Sequence, residues 1–302
     1  MLNVSEIGIK FLGENVEEFK EGFKTLFARR YLPDVRESVE KPSIVIERFR
    51  GEEFRIFSAT YDHMGVDEYK IESPKPSAYG NEAPIFFLLQ AVARASAKVG
   101  RVVVTDSVAV YEDGEVVLFV GYPHTGKSTI SVLALAKGLN VLSTENTVVE
   151  VKDSLRVVGG TEVLVYDPSV KHIYGVNVPH DSSTKSGYLI KDLKGEMREN
   201  ILKKKPKVSK IVLLHAAFNC SGYSFSQMRG RKIKKTLWYF STALLKGLDY
   251  YEPMPLHVPL NDKIKETLAK FLDVASSLDM IEAFGNHKSI FEALFGPVNE
   301  KV

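Results

Sequence analysis

The chain has 302 residues, of which 44% are hydrophobic and 26% are charged, and its formal net charge is +2. Such a chain can bury a large core in one big or two modest domains, and its balanced charge gives no reason to expect nucleic acid or an anionic membrane as a partner. The single cysteine, Cys220, excludes an intrachain disulfide and a cysteine-cluster metal site.

Targeting signals are lacking in the sequence. No apolar run of about twenty residues occurs, and the first six residues lack the basic and apolar regions of a signal peptide. We therefore predict a cytoplasmic protein. Abundant Lys and Glu beside only two glutamines are typical of proteins from hot-growing organisms. Whether the chain forms a homo-oligomer stays open.

Residues 1–80 predict a small N-terminal α/β region. Apolar residues recur at helical spacing from Val16 to Phe27, which predicts one amphipathic helix ending before Pro33. Residues 43–49 and 54–60 alternate like strands, and the turn between them predicts a hairpin.

Residues 72–84 are dense in turn formers, which predicts a boundary near residue 80 and a second domain over residues 81–302. An apolar helix is predicted for residues 84–99, closed by Gly100.

The segment Gly121-Tyr-Pro-His-Thr-Gly-Lys-Ser-Thr129 fits the phosphate-loop (P-loop, Walker A) pattern G-x-x-x-x-G-K-[ST]. Residues 116–120 predict a buried strand before it and residues 129–137 a helix after it, which is the arrangement that anion binding requires. The predicted nucleotide-binding residues are Gly121, His124, Thr125, Gly126, Lys127, Ser128 and Thr129.

Hairpins flank this motif on both sides. Residues 101–111 and 115–120 surround a Glu-Asp-Gly turn, and residues 147–151 and 155–158 surround a Lys-Asp-Ser turn. Short hairpins favour a mixed, largely antiparallel sheet over a doubly wound parallel one with long crossovers.

Over about residues 103–151 the sequence resembles the HPr kinase/phosphorylase family and related small kinases that share the phosphoenolpyruvate-carboxykinase type of fold. Lys137-Gly138 matches the basic residue and glycine that end the family's helix, and Glu145 matches the second residue of its acidic pair. Asp106 stands at the family's His position, and Thr144 stands at its first Asp.

In two further places the chain departs from the family. Pro123-His124 replaces the Ser-Gly of its loop, and the carboxy-terminal signature with which the family handles its protein substrate is not visible. The resemblance therefore implies the fold and the nucleotide chemistry and says little about the acceptor.

These residues carry the predicted chemistry. Lys127 and Ser128 are expected to bind the phosphates and Mg²⁺, and Glu145 to hold Mg²⁺, although an ordinary glutamate in a turn fits its position as well. Asp106 is the predicted general base, with a strand-end cap as the alternative. His124 either bonds a phosphate or faces solvent.

The remaining histidines show no metal-ligand spacing and are predicted to be structural: His63, His172, His180, His215, His257 and His287.

Beyond residue 160, residues 161–166 and 209–215 predict strands, whereas residues 260–272 and 281–295 have helical apolar spacing and predict helices that cover the sheet. Arg229 and Arg231 lie beside a glycine before a predicted helix. They either form a cationic lid over the transferring phosphate or begin a solvated helix.

The sequence thus predicts a kinase that uses ATP, or another NTP, and Mg²⁺ to phosphorylate a hydroxyl, with a small molecule favoured over a protein serine as acceptor. Two alternatives stay open, a nucleotide-sensing module without turnover and an HPr-type protein serine kinase. A decarboxylating kinase is weaker, because no convincing ligands for a second metal are found.

Overall fold

The computed structural model describes residues 1–37, 41–62, 65–246 and 260–298, which form a mixed α/β protein with eighteen strands in three sheets and nine helices. None of the helices in these ranges is both long and apolar enough to cross a membrane.

The first sheet is built from the N-terminal residues and has six strands in the order β3-β1-β2-β4-β6-β5. Its elements in chain order are β1 (Leu2–Val4), β2 (Ile7–Gly13), α1 (Val16–Gly22), α2 (Leu26–Tyr31), β3 (Val35–Glu37), β4 (Ile44–Phe49), β5 (Arg55–Thr60) and β6 (Asp67–Glu72).

Two predictions for this region were wrong. The amphipathic segment forms two short helices, because the Thr25 hydroxyl accepts a hydrogen bond from Ala28 N (3.3 Å) and so begins a new helix after Phe23. Strands β4 and β5 do not form a hairpin, since β6 lies between them, parallel to β4 and antiparallel to β5. Alternation of apolar residues fixes that a strand exists but not which strand it pairs with.

The second sheet has nine strands and surrounds the predicted phosphate motif. Its first part, with the associated helices, consists of α3 (Ala83–Lys98), β7 (Arg101–Thr105), β8 (Ser107–Glu112), β9 (Glu115–Val120), α4 (Lys127–Lys137), β10 (Asn140–Ser143), β11 (Asn146–Val151) and β12 (Leu155–Gly160).

The predicted helix over 84–99 and both hairpins, β8–β9 and β11–β12, are confirmed. The predicted strand over 101–111 is divided at Asp106, whose φ of 51° lies in the left-handed region. As a result β7 pairs with β11, while β8 pairs with β9 and β10.

The remainder of the chain adds a three-stranded sheet, the last strands of the nine-stranded sheet and five helices. These elements are β13 (Val163–Tyr166), α5 (Ser169–Tyr174), β14 (Ser182–Ser183), β15 (Leu189–Asp192), α6 (Glu196–Lys203), β16 (Lys207–Ala216), β17 (Tyr223–Gln227), α7 (Arg231–Lys246), α8 (Asp262–Ser276), β18 (Asp279–Gly285) and α9 (His287–Phe295).

The predicted helix over 281–295 was wrong in its first part, because residues 279–285 form strand β18, parallel to β16. A short apolar run fits a strand as well as a helix, and only the register with β16 decides between them. The nine-stranded sheet is parallel at β9–β16–β18, and its other strand pairs are antiparallel. A mixed, largely antiparallel sheet is therefore confirmed.

Two clusters of buried apolar side chains cover the two faces of this sheet. The larger one combines residues before and after position 80, such as Ile9 and Ile44 with Val104 and Leu118. The smaller one packs α4 and α9 on the opposite face, where Ile130 meets the C-terminal aromatic residues.

A buried ion cluster joins the N-terminal helices to the central sheet. Glu162 is fully buried, and its carboxylate accepts hydrogen bonds from Arg29 (2.7 Å) and Arg36 (2.9 and 3.0 Å), with Arg198 at 3.5 Å. Burial alone would raise the pKa of Glu162, but the guanidinium groups, Arg36 first, hold it below its usual value. The cluster fixes α2 beside β13.

Candidate functional site

The glycine loop, residues 121–126, leads from β9 into the first turn of α4. Tyr122 O accepts from Thr125 N (3.3 Å) and from the Thr125 hydroxyl (2.8 Å), and Ala216 N donates to Thr125 O (3.1 Å). The first hydrogen bond of α4 runs from Ile130 N to Gly126 O (3.1 Å). The N–H groups of the helix's first residues therefore lack intrahelical acceptors and can bind an anion.

Gly126 cannot be replaced by another residue without distortion. Its φ is 95°, and a Cβ atom placed on it would lie 2.2 Å from Nε2 of His287. Left-handed backbone and close approach of a side chain both require glycine here. The second glycine of the motif, Gly126, is therefore required by the local geometry as well as by the sequence pattern.

Lys127 lies buried at the base of the loop. Its Nζ donates to Gly121 O (2.5 Å) and Tyr122 O (2.9 Å) and lies 3.4 Å from Oδ1 of Asp106. The ammonium group therefore links the start of the loop to a carboxylate at the break between β7 and β8.

Asp106 and Glu145 each stand at a break between strands. Asp106 O accepts from Gly121 N (3.2 Å), and Glu145 O accepts from Ser107 N (2.9 Å). These backbone contacts bring both carboxylates to one end of the sheet, where both line the pocket beside Lys127. Thr144 points elsewhere, since its hydroxyl is buried and donates to Val163 O (2.9 Å).

The Glu145 carboxylate is half-buried and accepts no hydrogen bond within the described ranges. Burial raises its pKa, Asp106 adds to that effect, and the positive charges of Lys127 and Arg30 oppose it. A cation that binds next to this carboxylate would therefore stabilise its ionised form.

These groups line a pocket of about 780 Å³ at the mouth of the glycine loop. Seven predicted site residues line it, namely Asp106, His124, Gly126, Lys127, Ser128, Thr129 and Glu145. Gly121 and Thr125 shape the loop behind it. Arg229 and Arg231 are exposed at the start of α7 and do not belong to the pocket lining.

The pocket lining also includes residues that were not predicted from the sequence, and two of them, Arg30 and His287, carry polar ring or guanidinium groups. Arg30 comes from α2 and His287 from the first turn of α9. The doublet Arg29-Arg30 carries no signal of a site. Asn286 accepts from the N–H groups of Lys288 (3.0 Å) and Ser289 (3.2 Å) as a helix cap, which marks a helix start but not a pocket.

His287 is buried and held by a chain of hydrogen bonds. Asn286 Nδ2 lies 3.3 Å from the Tyr174 hydroxyl, which lies 2.8 Å from Nδ1 of His287. The ring also packs on Phe218 at 4.7 Å between centroids. Burial lowers the pKa of His287 to about 4, so the imidazole is neutral at physiological pH.

Other histidines give no metal site. His63 and His257 lie outside the described residues, and elsewhere in the described chain no three His, Cys, Asp or Glu side chains come together as a metal-binding group. Any Mg²⁺ at the pocket would therefore rest on few protein ligands and on phosphate oxygens.

No protein-family model matches the sequence, and no curated protein matches it at a significant level.

Proposed function

We propose that the protein is a kinase that transfers the γ-phosphoryl group of ATP, or of another NTP, to a hydroxyl of a small molecule. The observation that carries the proposal is the buried contact between Lys127 and Asp106, 3.4 Å apart at the base of the glycine loop. This contact puts a proton-accepting group beside the lysine expected to bind the outer phosphates. A pocket of about 780 Å³ suits a small molecule.

In the proposed reaction, the acceptor's hydroxyl oxygen forms a bond to the γ-phosphorus while the bond from that phosphorus to the β–γ bridging oxygen breaks, and ADP leaves. Asp106 accepts the hydroxyl proton. Lys127 and the N–H groups at the start of α4 neutralise the negative charge that shifts onto the transferring group.

The residues present fit Mg²⁺ as a cofactor. Ser128 presents a hydroxyl in the first turn of α4, and Glu145 presents a carboxylate with no hydrogen-bond donor among the described residues. Hydroxyl and carboxylate oxygens are ligands that Mg²⁺ accepts, together with phosphate oxygens and water. When bound, the ion would neutralise negative charge on the nucleotide's phosphates.

The resemblance to HPr kinase/phosphorylase-like kinases supports the same proposal from the sequence. We carry over its type of fold as part of the proposal. Its protein acceptor is not carried over, because Asp106 and Thr144 differ from the family pattern and the family's carboxy-terminal signature is not visible.

The test is ADP release by purified protein with Mg²⁺·ATP and pooled hydroxyl metabolites, measured beside the binding of a non-hydrolysable ATP analogue. Acceptor-dependent ADP release that disappears in Lys127→Ala would support the kinase. Tight nucleotide binding without release in any pool would favour the nucleotide-sensing module instead. If the wild-type protein neither releases ADP nor binds the ATP analogue, nucleotide chemistry at this site is refuted.

A further inference from the structure

Arg30 is a half-buried cation that faces the pocket from the N-terminal region. Its guanidinium lies 5.1 Å from the ring centroid of Tyr31 and acts on Glu145 through its charge. Among the described residues it forms no salt bridge. The neighbouring Arg29 instead donates hydrogen bonds to the carboxylates of Glu162 and Asp192, at 2.7 Å each.

The two neighbouring arginines have different partners: Arg29 pairs with two carboxylates, whereas Arg30 lines the pocket and can bind a ligand there. Consecutive residues on a helix point about 100° apart, so Arg29 serves the buried ion cluster while Arg30 reaches the pocket. Tyr31 and Tyr79 line the same side, and burial raises the pKa of Tyr31 to about 12, so its phenol is a neutral hydrogen-bond group.

We infer that the acceptor carries an anionic group, a carboxylate or a phosphate, which Arg30 binds while the hydroxyl faces Asp106. The inference rests on the proposed kinase function and adds the substrate class. Asp106 and Glu145 would repel an anion at this end of the pocket, and a guanidinium offsets them with a planar pair of donors that matches carboxylate and phosphate oxygens.

The experiment is calorimetric binding in the presence of a non-hydrolysable ATP analogue. The probes are glycerate and L-serine for carboxylates, glycerol 3-phosphate for phosphates, and glycerol and inositol for uncharged polyols. At least one anionic probe should bind, and Arg30→Gln should weaken it about tenfold or more, an effect of about 1.4 kcal/mol. Arg30→Lys should restore part of the loss, and affinity for the analogue should not change.

The control is Arg55→Gln, which removes an exposed arginine at the edge of the first sheet. Three results would overturn the inference. The anionic probes bind equally to wild type and to Arg30→Gln, glycerol binds the wild type as tightly as the anionic probes do, or no anionic probe binds. A failure of the proposed kinase function would give a different result. The nucleotide and the anionic probe would still bind, but no ADP would be released.

A second inference stands on the hydrogen-bond chain at His287. Asn286 Nδ2 can only donate, so the Tyr174 oxygen accepts from it. Nδ1 of His287 is the acceptor that the described residues offer to the Tyr174 O–H, at 2.8 Å, so we assign the Tyr174 O–H as the donor to Nδ1. The proton of the neutral ring is then on Nε2. No described residue accepts a hydrogen bond from Nε2, and this atom faces Gly126.

We propose that His287 is a neutral hydrogen-bond donor to the phosphoryl oxygens bound at the glycine loop, an inference that rests on the proposed nucleotide binding there. A neutral donor of fixed direction contributes to binding without changing the charge of the site. His287→Gln keeps an N–H group at a similar reach, whereas His287→Met removes it at similar volume. Tyr174→Phe leaves the ring in place but frees Nδ1 to take the proton.

Binding of the non-hydrolysable ATP analogue should weaken about tenfold in His287→Met and Tyr174→Phe, which corresponds to about 1.4 kcal/mol. The loss should be smaller in His287→Gln. Imidazole ¹⁵N shifts should show protonated Nε2 in wild type, with a change on adding the analogue. Protonated Nδ1 in wild type, or analogue affinity unaffected in both His287→Met and Tyr174→Phe, would overturn the proposal.

Discussion

Replacing Asp106 by asparagine tests the proton-accepting role of its carboxylate while keeping its place in the fold. The residue has a φ of 51°, a left-handed conformation that Asn adopts about as readily as Asp. Alanine would add strain of about 1 kcal/mol or more at this position and would confuse the result. The backbone bond from Gly121 N to Asp106 O survives in either case.

The expected effect falls on kcat. An asparagine amide cannot take the hydroxyl proton, and general bases contribute about 10²- to 10⁴-fold, so Asp106→Asn should lower kcat by about a hundredfold or more. A hundredfold loss is about 2.7 kcal/mol of barrier. Nucleotide affinity should be retained, because Lys127 keeps its bonds to Gly121 O and Tyr122 O.

The assay is ADP release at saturating ATP and acceptor, with calorimetry for nucleotide binding. Asp167→Asn is the matched control, since Asp167 lines the same pocket but its carboxylate is bonded to Ser169 N (2.8 Å). It should leave kcat within about threefold, the scale of a substitution without a named mechanism. Wild-type turnover in Asp106→Asn would refute the assignment of the general base.

Three further predictions concern the loop, the ion cluster and the lid. Gly126→Ala should abolish nucleotide binding and cost about 2–5 kcal/mol of stability in urea unfolding, because the new methyl group meets His287; unchanged affinity would contradict this. The folded-state pKa of Glu162 is lowered, so its stabilising effect is present above an unfolded pKa of about 4.3 and is lost on acidification. Glu162→Gln should therefore lower Tm at pH 7 by more than at pH 3.5, and an equal loss at both would contradict the ionic role. Arg229→Ala and Arg231→Ala change exposed cations outside the pocket lining, so kcat and nucleotide KM should stay within about twofold; a tenfold fall in kcat would support a mobile lid.

The elements around the glycine loop could be predicted from the sequence because their signals are local. The Glu-Asp-Gly turn at 112–114 closes the β8–β9 hairpin, and Gly138, at a φ of 89°, ends α4. Turn residues and apolar periodicity act over a few positions, so they survive whatever the rest of the chain does. Seven of the motif-based and acidic residues predicted for the site do line one pocket.

What only the tertiary structure decided are the partners of these elements. The apolar run at 281–285 became strand β18 because β16 offered a parallel edge, and β6 took the place beside β4 that the sequence assigned to β5. Arg30 and His287 reached the pocket from opposite ends of the chain, placed by the Glu162 ion cluster and by the Tyr174 hydroxyl. Such positions depend on packing and hydrogen bonding between residues far apart in sequence, and a local pattern holds no information about them.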